Sequence, residues 1–402
     1  MTHPVTPPTA TPRPTVRLQY GHERRLHAGH PWAYSNEITM DAAAKAIPPG
    51  TVVELARSDG KRLASAFFNP HSLIAARLLG PPDLTVDAAF LAQRLGAAVR
   101  LRERLGVREF CRLVHAEGDG LPGLIVDAYG RTLVVQVNSA GMDRLEADLL
   151  VALDEVLDPA VVVLRNDGRS RGLEGLTNEV RVAKGALDGP VELRENGQRF
   201  WADAEGGQKT GWYYDQRDNR AFVAGLVRGG RVLDLYCYSG GFTIPAAVNA
   251  DRVVAVDRSV AALDLARRAA EAAGVAARVD FREAEVFEAL AKLSDAGNKF
   301  DVVIADPPPF ARSKREVPTG LKGYRKLADL SARLVTPGGF LAICSCSHNV
   351  FHDEFREQVA RGLARAERTG RILRDAGAAP DHPVHPMLPE TAYLKCLVLQ
   401  VD

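Results

Sequence analysis

Arg231-Val-Leu-Asp-Leu-Tyr-Cys-Tyr-Ser-Gly-Gly-Phe242 decides the fold of this chain. It begins as a short apolar run, the pattern of a strand buried on both faces. It leaves that strand through Ser239, Gly240 and Gly241, where two residues without side chains let a ligand approach the backbone. Downstream the same unit recurs. Val253-Val-Ala-Val-Asp257 and the segments 277–285, 300–308 and 338–347 are each strand-like and end in polar or small residues. Helical stretches lie between them, most clearly 259–274, which Ser259 opens as an N-cap and Gly274 closes. This alternation, from about residue 195 onward, predicts an α/β domain with a doubly wound, largely parallel sheet. Ligands then bind at the carboxyl ends of its strands.

Upstream of 195 the pattern differs. Residues 16–85 read as short strands broken by Gly50, Gly60 and Pro70, a small β-rich module. Residues 86–194 combine two helical stretches with several strands, an α+β middle domain. The first fifteen residues are rich in Pro and Thr and lack an apolar h-region, so they are expected to form a disordered tail and not a secretory signal.

Composition narrows the class. Length, at 402 residues, implies two or three domains. No apolar run is long enough to span a bilayer. Five scattered cysteines fit reduced thiols in a cytoplasm better than a disulfide framework. Net charge is only +1, so bulk charge does not demand a nucleic acid. Between Arg13 and His30, however, seven basic residues face a single acid, Glu23. That stretch has the charge to neutralise phosphates, or is an ordinary solvated surface.

The loop chemistry points to a cofactor. Asp257 ends the second strand where an acid accepts both hydroxyls of an adenine-linked ribose. A dinucleotide site would need a third glycine for its pyrophosphate, and Ser239-Gly-Gly-Phe-Thr-Ile244 has none. The nearby acid Asp234 would also repel a pyrophosphate. A cationic, amino-acid-bearing nucleoside suits these acids better, and S-adenosylmethionine is that cofactor.

With these features the chain resembles class I methyltransferases, whose fold is Rossmann-like, and specifically the bacterial 23S rRNA cytosine-C5 methyltransferase family. Gln208-Lys-Thr-Gly-Trp-Tyr-Tyr-Asp-Gln-Arg217, Asp234 to Phe242 and Asp306-Pro-Pro-Pro-Phe310 carry the likeness. Gly29-His-Pro-Trp32 is similar to the start of the PUA RNA-binding module of that family. The resemblance implies that Gln208, Lys209, Thr210, Tyr213, Asp215, Gln216 and Arg217 line the cofactor pocket. Arg217 is then the natural partner of the methionine carboxylate. It places Asp234, Tyr236, Ser239, Gly240, Gly241 and Phe242 in the glycine loop. Asp257, Arg258 and Ser259 belong beside the ribose, Glu285 near the adenine, and Asp306 at the reacting end. Ribosomal RNA is the implied partner, in the cytoplasm and away from membranes, and a homodimer is compatible with it.

That resemblance also implies a chemistry. Carbon 5 of cytosine is a poor nucleophile until a thiolate adds at C6. Cys346, in Cys344-Ser-Cys346-Ser-His348 at the end of the fifth strand, is the expected nucleophile. Cys344 would point the same way in a strand, so the strand break decides between them. Asp306 is expected to hydrogen-bond the N3 and amino edge of the base, with Phe310 packing on the base or within its own loop. No second ligand pair accompanies Cys-x-Cys-x-His, so no metal is expected. Two alternatives are methylation of a guanine nitrogen and a non-catalytic RNA-binding protein of the same fold.

Overall fold

The computed structural model describes residues 13–402. Most of the expected tail falls outside them. Its last residue, Thr15, instead begins a strand, Thr15–Arg17, paired in parallel with Thr51–Ala56. Val16 is fully buried there, which anchors the segment. These strands join Arg62–Phe68, Ile74–Gly80 and Trp32–Tyr34 in a five-stranded sheet around Leu18, Leu55 and Phe68.

A second five-stranded sheet follows, ordered Glu179–Lys184, Val161–Asn166, Thr132–Val137, Leu124–Tyr129 and Phe110–His115. Helices Ala88–Arg104 and Glu146–Leu157 bury Leu91, Leu95, Leu149 and Leu153 in its core. The two sheets are joined through buried acids. Glu117 Oε1 accepts from Trp32 Nε1 and Arg77 Nη1, both at 2.8 Å. Glu174 accepts from Arg77 Nη2 (3.1 Å), Asn69 Nδ2 (3.0 Å) and Ser72 Oγ (3.0 Å). A buried carboxylate met by this many donors holds its position, because breaking any one partner leaves charge unpaired. Trp32 of the Gly-His-Pro-Trp segment therefore serves the junction between modules.

The expected boundary at residue 195 cuts a β-hairpin, Val191–Glu195 with Gln198–Ala202, so it is misplaced. In that hairpin Leu193 pairs with Phe200, and these two enter with Trp201 a core that continues on both sides of the boundary. Tyr129, Val134 and Val163 of the middle sheet share it with Val232, Ile304, Ala342 and Cys344 of the last one.

The C-terminal sheet has strands β1 (Arg231–Leu235), β2 (Arg252–Asp257), β3 (Val279–Glu283), β4 (Phe300–Ala305), β5 (Val335–Ser345), β6 (Gly370–Ala376) and β7 (Lys395–Val401). Their order is β3-β2-β1-β4-β5-β7-β6, parallel except for β7. Helix Val260–Ala272 covers one face, with Ser259 Oγ accepting from Ala262 N and Gly274 at φ +69°. The order reverses between β1 and β4, and a crevice opens there at the carboxyl ends.

Candidate active site

Three strand ends meet at that crevice. After β1 the chain turns through Tyr236 (φ +63°), Tyr238 (φ +49°) and Gly240 (φ +86°). Left-handed backbone at two tyrosines is strained and needs surrounding contacts to hold it. Tyr238 N donates to Asp257 Oδ2 (2.9 Å), and Tyr238 OH donates to the Gly211 carbonyl (3.2 Å). A side chain at Gly241 would put its Cβ 2.6 Å from Arg220 Nε, so the Arg220 guanidinium would have to shift to admit one. Ser239 and Phe242 are buried.

Asp257 ends β2 and is oriented by two amides, Tyr238 N on one oxygen and Ser259 N (2.9 Å) on the other. Each oxygen keeps a further lone pair for a ligand hydroxyl. Ser259 uses its hydroxyl as a helix cap, and Arg258 beside it is exposed. Glu285 caps helix Val286–Asp295 by accepting from Glu288 N (3.1 Å) and is otherwise exposed.

The 208–217 block lies against the glycine loop. Tyr213 meets Tyr238 edge-on with ring centres 5.5 Å apart, and its hydroxyl donates to Gln208 Oε1 (3.0 Å). Lys209 Nζ stands 4.9 Å above the Tyr213 ring. Thr210 is buried, its carbonyl held by Tyr129 OH (2.9 Å). Asp215 accepts from Tyr393 OH (2.6 Å). Burial would raise the pKa of this carboxyl, but His382, Lys209 and Tyr393 outweigh burial and hold it low. Gln216 Oε1 accepts from Asn219 Nδ2 (2.8 Å).

Arg217, expected at the methionine carboxylate, has other partners in the protein. Its Nη1 donates to Asp381 Oδ2 (3.0 Å) and its Nη2 to the Phe110 carbonyl (2.7 Å), toward the middle sheet. A guanidinium committed to a buried carboxylate has little left to offer a ligand. Arg220, one helical turn later, is the cation against the glycine loop. It lies between Trp212 (4.5 Å) and Phe242 (5.7 Å), and Nη1 pairs with Glu195 (2.8 Å). Only the three-residue helical spacing from Arg217 could have pointed to it.

The reacting end forms where β4 and β5 finish. β5 stops at Ser345, which separates the two cysteines. Cys344 is fully buried opposite Cys396, whereas Cys346 is only partly buried, with Sγ 3.8 Å from the Pro307 carbonyl. Lys395 Nζ donates to the carbonyls of Ser347 (2.7 Å) and Val350 (2.9 Å) and so pins the cysteine loop. Tyr324 OH shares a hydrogen bond with Ser347 Oγ (2.7 Å). Neither Lys395 nor Tyr324 carries a motif that sequence reading could use. Phe310 packs 4.7 Å from Tyr324, ring to ring, which is loop packing.

Burial sets the acidities. It pushes the Cys346 thiol up to about 11, against the opposing charge of Lys209. It raises Asp306 to about 6 and Asp234 to about 7. Asp234 Oδ2 accepts from Thr243 Oγ1 (2.5 Å), but Oδ1 has no partner.

Residues 183–398 match the S-adenosylmethionine-dependent methyltransferase family, and residues 16–81 match a PUA-like domain. The chain belongs to the S-adenosylmethionine-dependent methyltransferase family. This methyltransferase is 36% identical over 397 residues to Ribosomal RNA large subunit methyltransferase I of Erwinia tasmaniensis, covering 96% of this chain and all of that protein. It is 37% identical over 388 residues to the protein of the same name in Photobacterium profundum, covering 95% and 98%. A solved structure described as a methyltransferase complexed with SAH has the same fold, with TM-score 0.82 and 19% identity over 97% of this chain and all of that one. A Streptococcus mutans chain described as a SAM-dependent methyltransferase superposes at TM-score 0.81, with 18% identity over 96% and 100%.

The site fits that cofactor. Thr210 Oγ1, Asp215 Oδ1, Gln216 Nε2, Arg220 Nε, Asp234 Oδ1 and Ser239 Oγ are buried without a partner among the described residues. All six belong to the glycine loop, the end of β1 or the segment packed on them, and buried polar atoms normally find partners. The carboxyl of Asp234, held near 7, suits a ligand with ammonium and sulfonium charge. S-adenosylmethionine binding is therefore expected to release protons near pH 7 and to weaken as the pH falls below it. Calorimetry in buffers of different ionisation enthalpy would show this, and pH-independent affinity from 5.5 to 8 would contradict it. The folded acid has the raised pKa, so the cofactor-free protein takes up a proton on folding and is stabilised as the pH falls through 7.

Proposed function

We propose that this methyltransferase transfers a methyl group from S-adenosylmethionine to C5 of a cytosine in large-subunit ribosomal RNA, through a covalent bond between Cys346 Sγ and C6. The observation that carries the reading is the placement of the Cys346 sulfur at 3.8 Å from Pro307, beside Asp306, while Cys344 is sealed in the core. A lone-pair nucleophile such as a guanine nitrogen would need no such thiol. The names of the relatives and the PUA-like module support ribosomal RNA as the substrate, and a reaction on that substrate would take place in the cytoplasm.

When bound, S-adenosylmethionine supplies an electrophilic methyl group. The chain supplies the rest. Asp257 would hold the ribose hydroxyls, Glu285 would serve the adenine end, and the acid at 234 would balance the methionine cation. Burial holds the Cys346 thiol protonated, and the positive charge of Lys209 works against it and helps the thiol to ionise. Sulfur then adds to C6 while the Asp306 carboxyl, near 6 and so partly protonated, gives a proton to N3. The resulting enamine makes C5 nucleophilic. C5 would then take the methyl group, leaving the donor sulfur as a thioether. Water carries off the C5 proton, the Cys346 thiolate leaves C6, and N3 returns its proton to the Asp306 carboxylate.

Ribosomal RNA from cells lacking the protein, incubated with enzyme and labelled cofactor, should gain 5-methylcytosine at a defined position. Label on a guanine would overturn the reading. A second test needs no RNA. Iodoacetamide should alkylate Cys346 slowly at pH 7 and about tenfold faster per pH unit up to pH 10, because only the thiolate reacts. Lys209→Ala should slow it further. A pH-independent rate would show that the thiol is not held protonated.

A further inference from the structure

We propose that Arg312, Lys314, Arg315, Lys322 and Lys326 form a ridge that binds the sugar-phosphate backbone of the RNA strand flanking the target base. The identity of the polymer rests on the reading above. The ridge itself rests on charge and placement.

Residues 312–326 hold six basic residues and one acid, Glu316. Glu316 is already engaged, accepting from Arg312 N (2.7 Å). The five ridge cations are exposed, and among the described residues none of them is in an ion pair. The leading basic stretch is different. Arg13 pairs with Glu54, and His22 and Arg25 pair with Glu37. His30 is buried with Nδ1 against Trp32. Part of the charge that drew attention in the sequence is thus already paired or buried, while Arg17, Arg24 and His27 of that stretch remain exposed.

The ridge stands beside the chemistry. Helix Val317–Leu334 buries Gly320, Tyr324, Leu327 and Ala328, which leaves Lys322 and Lys326, four apart, on its outer side. Tyr324 bolts this helix to both reacting loops. Its hydroxyl meets Ser347 Oγ, the neighbour of Cys346, and Phe310 N donates to it at 3.5 Å. Ala311 N donates to Ser347 Oγ (3.3 Å). Arg312 follows at once, so phosphates bound by the ridge would be held in register with Cys346.

A polyanion needs such a feature here. The crevice is lined by Asp215, Asp234 and Asp306, which repel phosphate, and a net charge of +1 gives no overall attraction. Local cations must supply it, and each phosphate neutralised adds to the salt dependence of binding.

The test is a triple variant, Lys314→Ala, Arg315→Ala and Lys322→Ala, in the full chain. Affinity for ribosomal RNA from cells lacking the protein is measured by filter binding across a series of salt concentrations. We expect at least a tenfold loss of affinity at moderate salt. The slope of log affinity against log salt should become shallower by about 2, at roughly 0.7 per phosphate contact. S-adenosylmethionine affinity should not change, which verifies the fold. A control removes three cations at or next to the amino ends of the same strands, Arg228→Ala, Arg252→Ala and Lys299→Ala, and should bind RNA as the parent does. Unchanged affinity and slope in the ridge variant, or an equal loss in the control, would overturn the proposal. Methyl transfer by the parent to the same RNA is scored separately. Ridge-dependent binding without 5-methylcytosine would sink the cytosine reaction and keep the ridge, and methylation with an unaffected ridge variant would do the reverse.

Discussion

Cys346→Ala is expected to abolish methyl transfer to ribosomal RNA while S-adenosylmethionine affinity stays within about twofold of the parent. Without addition at C6, cytosine C5 has no electron pair to offer, so no residual route through the same geometry remains. The residues proposed to hold the cofactor lie on the glycine loop and β2, and among the described residues the sulfur hydrogen-bonds the Pro307 carbonyl alone, so the substitution should leave the pocket intact. RNA carrying 5-fluorocytosine sharpens the measurement. Fluorine cannot leave C5 as a proton does, so the parent should form a stable covalent complex on denaturing gels and the variant none. Cys344→Ala should retain activity and lose stability instead, because that side chain fills the core. Normal turnover by Cys346→Ala would end the covalent mechanism.

The second large effect is at Asp257. Asp257→Ala should raise the dissociation constant of S-adenosylmethionine by about 100-fold, close to 2.7 kcal/mol. Two hydrogen bonds from ribose hydroxyls to an ionised acceptor account for that size. The variant also frees Tyr238 N and Ser259 N, which the carboxylate now holds, so part of the loss comes from a loosened loop. Asp257→Asn, which keeps one acceptor, should lose less. Equal affinities for parent and alanine variant by calorimetry would remove Asp257 from the site.

The fold was legible where local chemistry and periodicity agree. Ser259 and Gly274 bracket their helix as the capping pattern requires, and the glycine turn follows a buried strand. The antiparallel pair β6 and β7 was not legible. Lys395–Val401 is a bare apolar run after the alternation has stopped, and periodicity cannot orient such a run. Site residues followed the same division. Cys346 could be named from its motif, but its separation from Cys344 depends on the strand ending at Ser345. The type of residue at 217 suited a carboxylate, yet its partner is Asp381, 164 positions away. Sequence shows what a side chain can bind, whereas long-range packing decides what it does bind.

The hairpin Val191–Ala202 has a practical consequence. It sits between Tyr129, Val134 and Val163 on one side and the catalytic sheet on the other, all in a single apolar cluster. A fragment begun at residue 195 would lose Leu193 and those three side chains, and would open Phe200 and Trp201 to water. The half of the molecule that performs the chemistry is therefore no portable cassette. Excised, it should clump in solution instead of working as a smaller enzyme.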